Sequence, residues 1–149
     1  MTRKRANAVD AGSVLQSIKE FIETYPDLES FPRVDMEKLE EDATAYMIES
    51  VPAEPFVKKY LDGSSVRQAV FAISSREFYG DVENLETHAF YERLAAWMEE
   101  CTRNNTLPDL GSNRESVSIK ATTGAYVYDA EGTKAQYRIQ CVLKYYQKQ

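Results

Sequence analysis

The part of the chain that most constrains its fold lies near the C-terminus, where residues 135–146 alternate between two sets of side chains. The first set is apolar or aromatic: Ala135, Tyr137, Ile139, Cys141, Leu143 and Tyr145. The second is mostly polar: Gln136, Arg138, Gln140, Val142, Lys144 and Tyr146. A period of two with one apolar face predicts a β-strand with one side on a core. Its length favours the middle of an antiparallel sheet over an edge.

A second, interrupted arm precedes this strand. Apolar residues alternate over residues 117–121, and a Thr-Thr-Gly segment at 122–124 interrupts the pattern before an aromatic stretch at 126–128. Residues 129–132 have the composition of a tight turn. The sequence therefore predicts a C-terminal hairpin over residues 115–147, on which the rest of the chain packs.

Two amphipathic helices are predicted. The first starts at Ser13, which forms a capping-box pattern with Gln16, and is stopped by Pro26. The second covers roughly residues 84–103. Both have one apolar stripe at helical spacing: Val14, Ile18, Phe21, Ile22 and Tyr25 in the first, and Phe90, Leu94, Trp97, Met98 and Cys101 in the second. Each helix thus needs a sheet to lie on.

Extended segments lie between the helices. Residues 43–51 are predicted as a strand that ends at Pro52 and Pro55, and residues 56–61 as a short extended segment. The Asp62-Gly63 pair is a strong turn signal before a strand over residues 65–75. This strand is apolar on both faces, so we expect it to be internal, with helices on one side and another subunit on the other.

The element order predicts an α+β fold, an antiparallel or mixed β-sheet with two main helices packed on one face. A length of 149 residues suits one domain, which we expect to span residues 13–149. Residues 1–12 are expected to form a flexible basic arm. The chain has no apolar run long enough for a transmembrane helix, and its N-terminus lacks the apolar region of a secretory signal.

The net charge of −6 disfavours a general phosphate-backbone binder, and no sequence-specific nucleic-acid partner is expected. Ten tyrosines suit either an interface or simply strand propensity. Cys101 and Cys141 both fall on apolar faces, which predicts buried free thiols rather than a disulfide.

Little in the sequence points to catalysis. His88 is the one histidine, and no nucleophile or orienting acid stands at motif spacing from it. An acyltransfer motif would place an aspartate four residues after His88, where the chain has Glu92. The acidic run at residues 37–42 has no His or Cys near it, so a solvated stretch explains it better than a metal site. We therefore expect no enzymatic activity, no cofactor and no bound metal.

Four stretches in this order resemble one known family. They are residues 60–68 (YLDGSSVRQ), residues 74–80 (SSREFYG), residues 83–97 with their ENLE and FYERL segments and Trp97, and the tail, residues 135–141 with Tyr145 and Tyr146. Together they resemble the small tail-terminator-like proteins (minor capsid or tail components) of long-tailed phages and prophages of Gram-positive bacteria. The resemblance covers roughly residues 13–147. The N-terminal arm departs from it, because family members start nearly at the first helix.

This resemblance implies a small subunit that closes into a hexameric ring, caps the tail tube at its head-proximal end and joins it to the head. The implied partners are further copies of the chain, the major tail-tube protein and a head-side connector protein, with no membrane. The implied location is the virion tail, and the host cytoplasm before assembly. Two alternatives stay open: a monomeric adaptor that binds a peptide strand at a sheet edge, and a small acyltransferase-type enzyme.

Exposed turns beside core strands are the candidate contact sites. They are the turn around residues 62–67, the sheet rim at 75–82 and the hairpin at 122–132. At the rim, Arg76 either contacts a subunit or forms a salt bridge with Glu77, Asp81 or Glu83. The candidate interface residues are Asp62, Gly63, Arg67, Ser75, Arg76, Tyr79, Tyr126, Tyr128 and Asp129.

Overall fold

The structure, a computed structural model, describes residues 14–27, 33–36, 45–78, 81–131 and 134–149. These residues form an α+β fold with two helices and a seven-stranded sheet. In chain order the elements are α1 (Val14–Ile22), β1 (Arg33–Met36), β2 (Ala45–Ser50), β3 (Phe56–Lys59), β4 (Ser65–Phe78), α2 (Asp81–Asn104), β5 (Arg114–Ala121), β6 (Tyr126–Glu131) and β7 (Lys134–Gln147).

Strands β4 and β7 form the centre of the sheet. Each has 14 residues, and they pair antiparallel over their whole length, from Ser65 opposite Gln147 to Phe78 opposite Lys134. Each is also the second arm of a hairpin whose first arm is interrupted. β2 and β3 both pair with β4, and β5 and β6 both pair with β7. β1 extends the sheet beyond β2 and makes its one parallel pairing.

The two interruptions have local causes. Residues 51–55 include Pro52 and Pro55, which cannot donate a ladder hydrogen bond. The interruption after β5 has a different cause. The backbone N–H groups of Thr122 and Thr123 both donate to the carbonyl of Gln140, at 2.7 and 3.3 Å, so two consecutive residues bond to one residue of β7 and the regular pairing ends. The central strands therefore continue while their neighbours break, which leaves short strands at the periphery.

Both helices lie on the sheet face that carries the apolar set of β7. The six residues of that set are all buried, with at most 8% exposure. The rings of Phe21 and Trp97 stack at 4.8 Å and join α1 to α2. α2 in turn contacts the sheet through Tyr91, whose ring stacks on Tyr46 of β2. The core thus lies between one sheet face and the two helices.

These elements confirm the predicted α+β class, the C-terminal hairpin and the apolar stripes of both helices. Several boundaries differ. α1 ends at Ile22, yet Tyr25 remains buried in the turn that follows; β4 continues to Phe78, α2 starts at Asp81, and β6 continues through Glu131. β1 was not predicted, because its four residues have no distinctive pattern. Ser13, the acidic run at 37–42 and the arm at 1–12 lie outside the described residues.

The sheet surface opposite the helices is called the open face below. It consists of Met47 and Glu49 of β2 and the even-numbered residues of β4 and β7, as the strand register requires. No described helix is stacked on this surface. Its side chains have mixed exposure: Ala72, Ser74 and Val142 are buried by their neighbours, while Met47 and Val70 are half-buried. Of the two layers expected around β4, the described residues supply one.

Candidate interaction surfaces

The turn between β3 and β4 has the predicted conformation. Gly63 has a φ of +94°, a value that favours glycine, and its N–H donates to the Tyr60 carbonyl at 3.1 Å. An Asp62 carboxylate oxygen accepts hydrogen bonds from the hydroxyl of Ser64 at 2.6 Å and from its backbone N–H at 2.9 Å. These bonds favour the charged carboxylate and lower the pKa of Asp62. The turn is thus internally bonded and exposed at one end of the sheet.

Arg67 lies close to this turn, on β4. Its Nε donates to Ser65 Oγ at 3.0 Å, and its guanidinium stands 4.5 Å from the centre of the Phe56 ring. Arg67 is therefore held in place by its own hairpin. Asp62 and Gly63 thus lie in the turn, and Arg67 on the strand that follows it, at one end of the sheet, where the sequence predicted a turn.

Ser75 and Arg76 are adjacent in sequence but lie on opposite faces of β4. Ser75 is buried beneath the helices, with its Oγ hydrogen-bonded to Tyr91 Oη at 2.7 Å. Its side chain is part of the core, so the prediction of Ser75 as a contact residue is wrong. Arg76 projects from the open face, where it pairs in register with Gln136. Tyr79, and the side chains of the acids proposed to pair with Arg76, lie outside the described residues.

Tyr126, Tyr128 and Asp129 lie on β6, the outermost strand beside the N-terminal half of β7. All three side chains are exposed, and 56% of Tyr128 is accessible. The guanidinium of Arg138 stands 4.4 Å from the centre of the Tyr128 ring, a favourable cation–π geometry. The hairpin therefore presents aromatic surface at a sheet edge, far along the sheet from the turn at Gly63.

A cluster on the open face was not predicted. Arg138 of β7 forms an ion pair with Glu49 of β2 at 2.7 Å. β4 lies between these two strands, with Ala72 opposite Glu49 and Ser74 opposite Arg138. The ion pair consequently crosses β4, and both of these β4 residues are completely buried. Glu49 and Arg138 are 89 positions apart in the chain, so only the strand register brings them together.

Two polar atoms beside this ion pair lack hydrogen-bond partners in the part of the chain that the structure describes. They are Ser74 Oγ and Arg76 Nε, both buried and two positions apart on the open face. Buried donors and acceptors are nearly always satisfied in native proteins, because an unsatisfied group costs about 1–3 kcal/mol. Of these two residues Ser74 is completely buried and Arg76 is partly exposed, so a further polar group can approach this part of the open face at Arg76.

The two cysteines and His88 pack against other parts of the chain. Cys101 and Cys141 are buried and free, as predicted, and burial raises the pKa of both thiols, so they stay protonated. The ring of His88 packs edge-on against Tyr137, with 5.8 Å between ring centres. Within the described ranges, no three His, Cys, Asp or Glu side chains cluster as metal ligands would.

A shallow groove runs between α2 and β5. It has a volume of about 340 Å³ and is lined by Glu92, Ala95, Ala96, Glu99, Lys120 and Ala121. Small side chains form its floor and two carboxylates stand on the helix side. The groove is open to solvent and lacks the enclosed apolar walls typical of a small-molecule site.

None of the helices described here is both long and apolar enough to cross a membrane. Comparison with protein-family models gives no match. Comparison with curated proteins also gives no match.

Proposed function

We propose that this chain is a virion structural protein of a phage or prophage, a tail-terminator or tail-completion subunit. It forms a ring that caps the tail tube and joins it to the head. The activity is assembly rather than catalysis. The proposal draws on the sequence resemblance, and the observation that carries it in the structure is the open face of the sheet.

The open face has the size of a protein–protein interface. Two 14-residue strands with one broken arm on each side make a surface of about 46 Å by 19 Å at usual strand spacings, or roughly 900 Å². A standard interface uses ~800 Å² per partner. The half-buried Met47, Val66, Val70 and Tyr146 give this surface an apolar component. A second copy that packs here would supply the missing layer over β4.

The rim features suit contacts with other virion proteins. The turn at Asp62 and Gly63 and the hairpin at Tyr126 and Tyr128 lie at opposite ends of the sheet, because β4 and β7 are antiparallel. A ring subunit needs such separate surfaces: one pair for its neighbours, and others for the tube below and the connector above. We assign the neighbours to the open face, and the tube and connector to the two rims.

The adaptor alternative rests on β6. This strand pairs only with β7 among the described strands, and its Tyr126, Val127 and Tyr128 are exposed. An exposed edge of this kind can accept a strand from a peptide partner. The adaptor hypothesis predicts a monomer in solution whatever the protein concentration, whereas the tail-terminator hypothesis predicts self-association.

Light scattering after size exclusion, over a range of protein and salt concentrations, tests this function first. A stable hexameric ring supports the proposal and contradicts the adaptor hypothesis. If the protein is a monomer, the test uses isolated tail tubes as the template on which the ring assembles. Electron microscopy should then show the protein at one end of each tube. Failure to form rings and failure to bind tube ends would together refute the proposed function.

A further inference from the structure

The open face is positively charged, although the whole chain has a net charge of −6. On this face the central strands place the cations Arg76, Arg138 and Lys144 and no carboxylate. Glu49, from β2, is bound to Arg138 at 2.7 Å. The broken outer strands add charges of both signs, so the positive centre of the face remains. A partner for this surface is therefore expected to be acidic.

Arg76 is the least satisfied of these cations. It is half-buried, its Nε lacks a hydrogen-bond partner, and the structure gives it no ion pair with a described residue. Ser74 Oγ beside it is in the same situation. Ser74 is completely buried, so a group from a second copy can reach only Arg76, which is partly exposed. A carboxylate is the group that pairs most strongly with a guanidinium. The required partner group is thus an acidic side chain.

The outer surface of α2 has the complementary character. Glu86, Glu92 and Glu99 are exposed there, and none forms an ion pair with a described residue. Of the cations nearby, Arg93 is bound to Asp27 at 2.9 Å and Arg103 lies 3.6 Å from Glu100. Lys120 of β5 lines the groove beside Glu92 and Glu99 and is the one nearby cation without an ion pair to a described residue. Apolar contact area is also available, because Leu85 is 70% exposed. The acids thus outnumber the free cations.

We infer that the open face of one copy binds the outer surface of α2 of a second copy, with the carboxylates of Glu92 and Glu99 directed at Arg76. These two glutamates are two helical turns apart, about 10.5 Å along the axis, and project in nearly the same direction. The inference deepens the proposed ring assembly and rests on it, because it names the two surfaces that meet.

Charge also decides between the possible arrangements of two copies. Two open faces in contact would oppose Arg76, Arg138 and Lys144 of one copy to those of the other, and two helix surfaces would oppose carboxylates. Like charges at an interface disfavour both arrangements. Contact between different surfaces pairs opposite charges and leaves one of each surface free on the dimer. Such head-to-tail contacts continue until rotation closes a ring.

A cross-linking experiment tests this arrangement. Gln136 lies beside Arg76 on the open face, and Ala96 is exposed on α2 between Glu92 and Glu99. The full chain with both Gln136→Cys and Ala96→Cys should give a ladder of dimers, trimers and larger species with a short bismaleimide. Each single variant should stay uncross-linked, since different surfaces meet. The wild-type chain is the control, because its own two cysteines are buried.

Charge variants in the double-cysteine background test the role of Arg76. Arg76→Glu should reduce ladder formation by more than about ten-fold, since it turns an attraction into a repulsion. Arg76→Gln should give a smaller loss. Lys59→Glu is the matched control, because Lys59 is exposed and in register with Ser65 on the other sheet face. Thermal melts confirm that each variant is folded. Adding Glu92→Arg and Glu99→Arg to the Arg76→Glu chain should restore the ladder.

The outcomes separate this inference from the proposed function. Absence of a ladder overturns the assignment of surfaces, even where light scattering shows rings of the wild-type chain. Dimers from either single-cysteine variant also overturn it, because they show two identical surfaces in contact. A ladder that depends on Arg76, from a chain that forms no ring and binds no tail tube, supports the head-to-tail contact and contradicts the tail-terminator function.

Discussion

Thr102 near the C-terminal end of α2 should contribute measurably to stability, because it satisfies the edge strand β5. Its hydroxyl donates to the Ile119 carbonyl at 2.8 Å and accepts the Ile119 N–H at 3.0 Å. The side chain of Ile119 is buried in the core, and its backbone N–H and C=O are free to bond to Thr102 because β5 is at the end of the sheet path. Thr102→Val keeps the shape of the side chain and removes both hydrogen bonds.

The expected loss follows from these two bonds. A hydrogen bond contributes about 1 kcal/mol net, so Thr102→Val should lower the free energy of unfolding by about 2 kcal/mol. The unfolding entropy of a chain of 149 residues is ~0.3 kcal/mol/K near 60 °C. The midpoint of thermal unfolding should therefore fall by about 6 °C.

Urea and thermal denaturation followed by circular dichroism measure both quantities. Thr106→Val is the matched control, since Thr106 is exposed and its hydroxyl has no hydrogen bond to a described residue. The control should change the free energy of unfolding by no more than about 0.5 kcal/mol. Equal losses in the two variants would show that the Thr102 hydroxyl does not stabilise the edge strand, and would refute the reasoning.

Two further predictions concern the core. Ser75→Ala and Tyr91→Phe break a buried hydrogen bond of 2.7 Å, so a double-mutant cycle by urea denaturation should give a coupling energy of about 1 kcal/mol; additive effects would contradict a direct bond. Burial raises the pKa of the Cys141 thiol, whereas the unfolded thiol ionises near pH 9.0, so this group favours folding below that pH and its contribution is lost as the pH rises above it. Between pH 8 and pH 10 the Cys141→Ala variant should lose less stability than the wild type, and identical losses would argue against a protonated buried thiol.

Local patterns were sufficient for most of the fold. The alternation along β7 predicted its buried face residue by residue, from Ala135 to Tyr145, because one apolar side leaves a strand a single way to lie on a core. The apolar stripes of the two helices were predicted correctly for the same reason. β1 has only four residues and no such pattern. Its pairing with β2 is a contact between separate segments of the chain, which the strand propensity of single residues does not specify.

The candidate interface was predicted less completely. The turn at Asp62 and Gly63 and the exposed tyrosines of β6 follow from local residue types, so the sequence located them. Ser75 looked like a rim residue but is buried against Tyr91, since β4 continues three residues past its predicted end. The alternation along β4 places Ser75 and Arg76 on opposite faces of the strand, but it does not show which of the two faces the helices cover.

The sequence by itself determined both helices, every described strand except β1, the apolar face of β7 and of each helix, and that the two cysteines are buried thiols. These properties depend on neighbours within one element, whose spacing is set by the backbone. Only the tertiary structure decided that Glu49 forms an ion pair with Arg138 across β4. The same holds for the absence of described hydrogen-bond partners at Ser74 Oγ and Arg76 Nε. It holds as well for the hydrogen bonds between the Thr102 hydroxyl and the backbone of Ile119. Each of these contacts joins residues from different elements, so it depends on strand register and helix placement, which arise only when the whole chain packs.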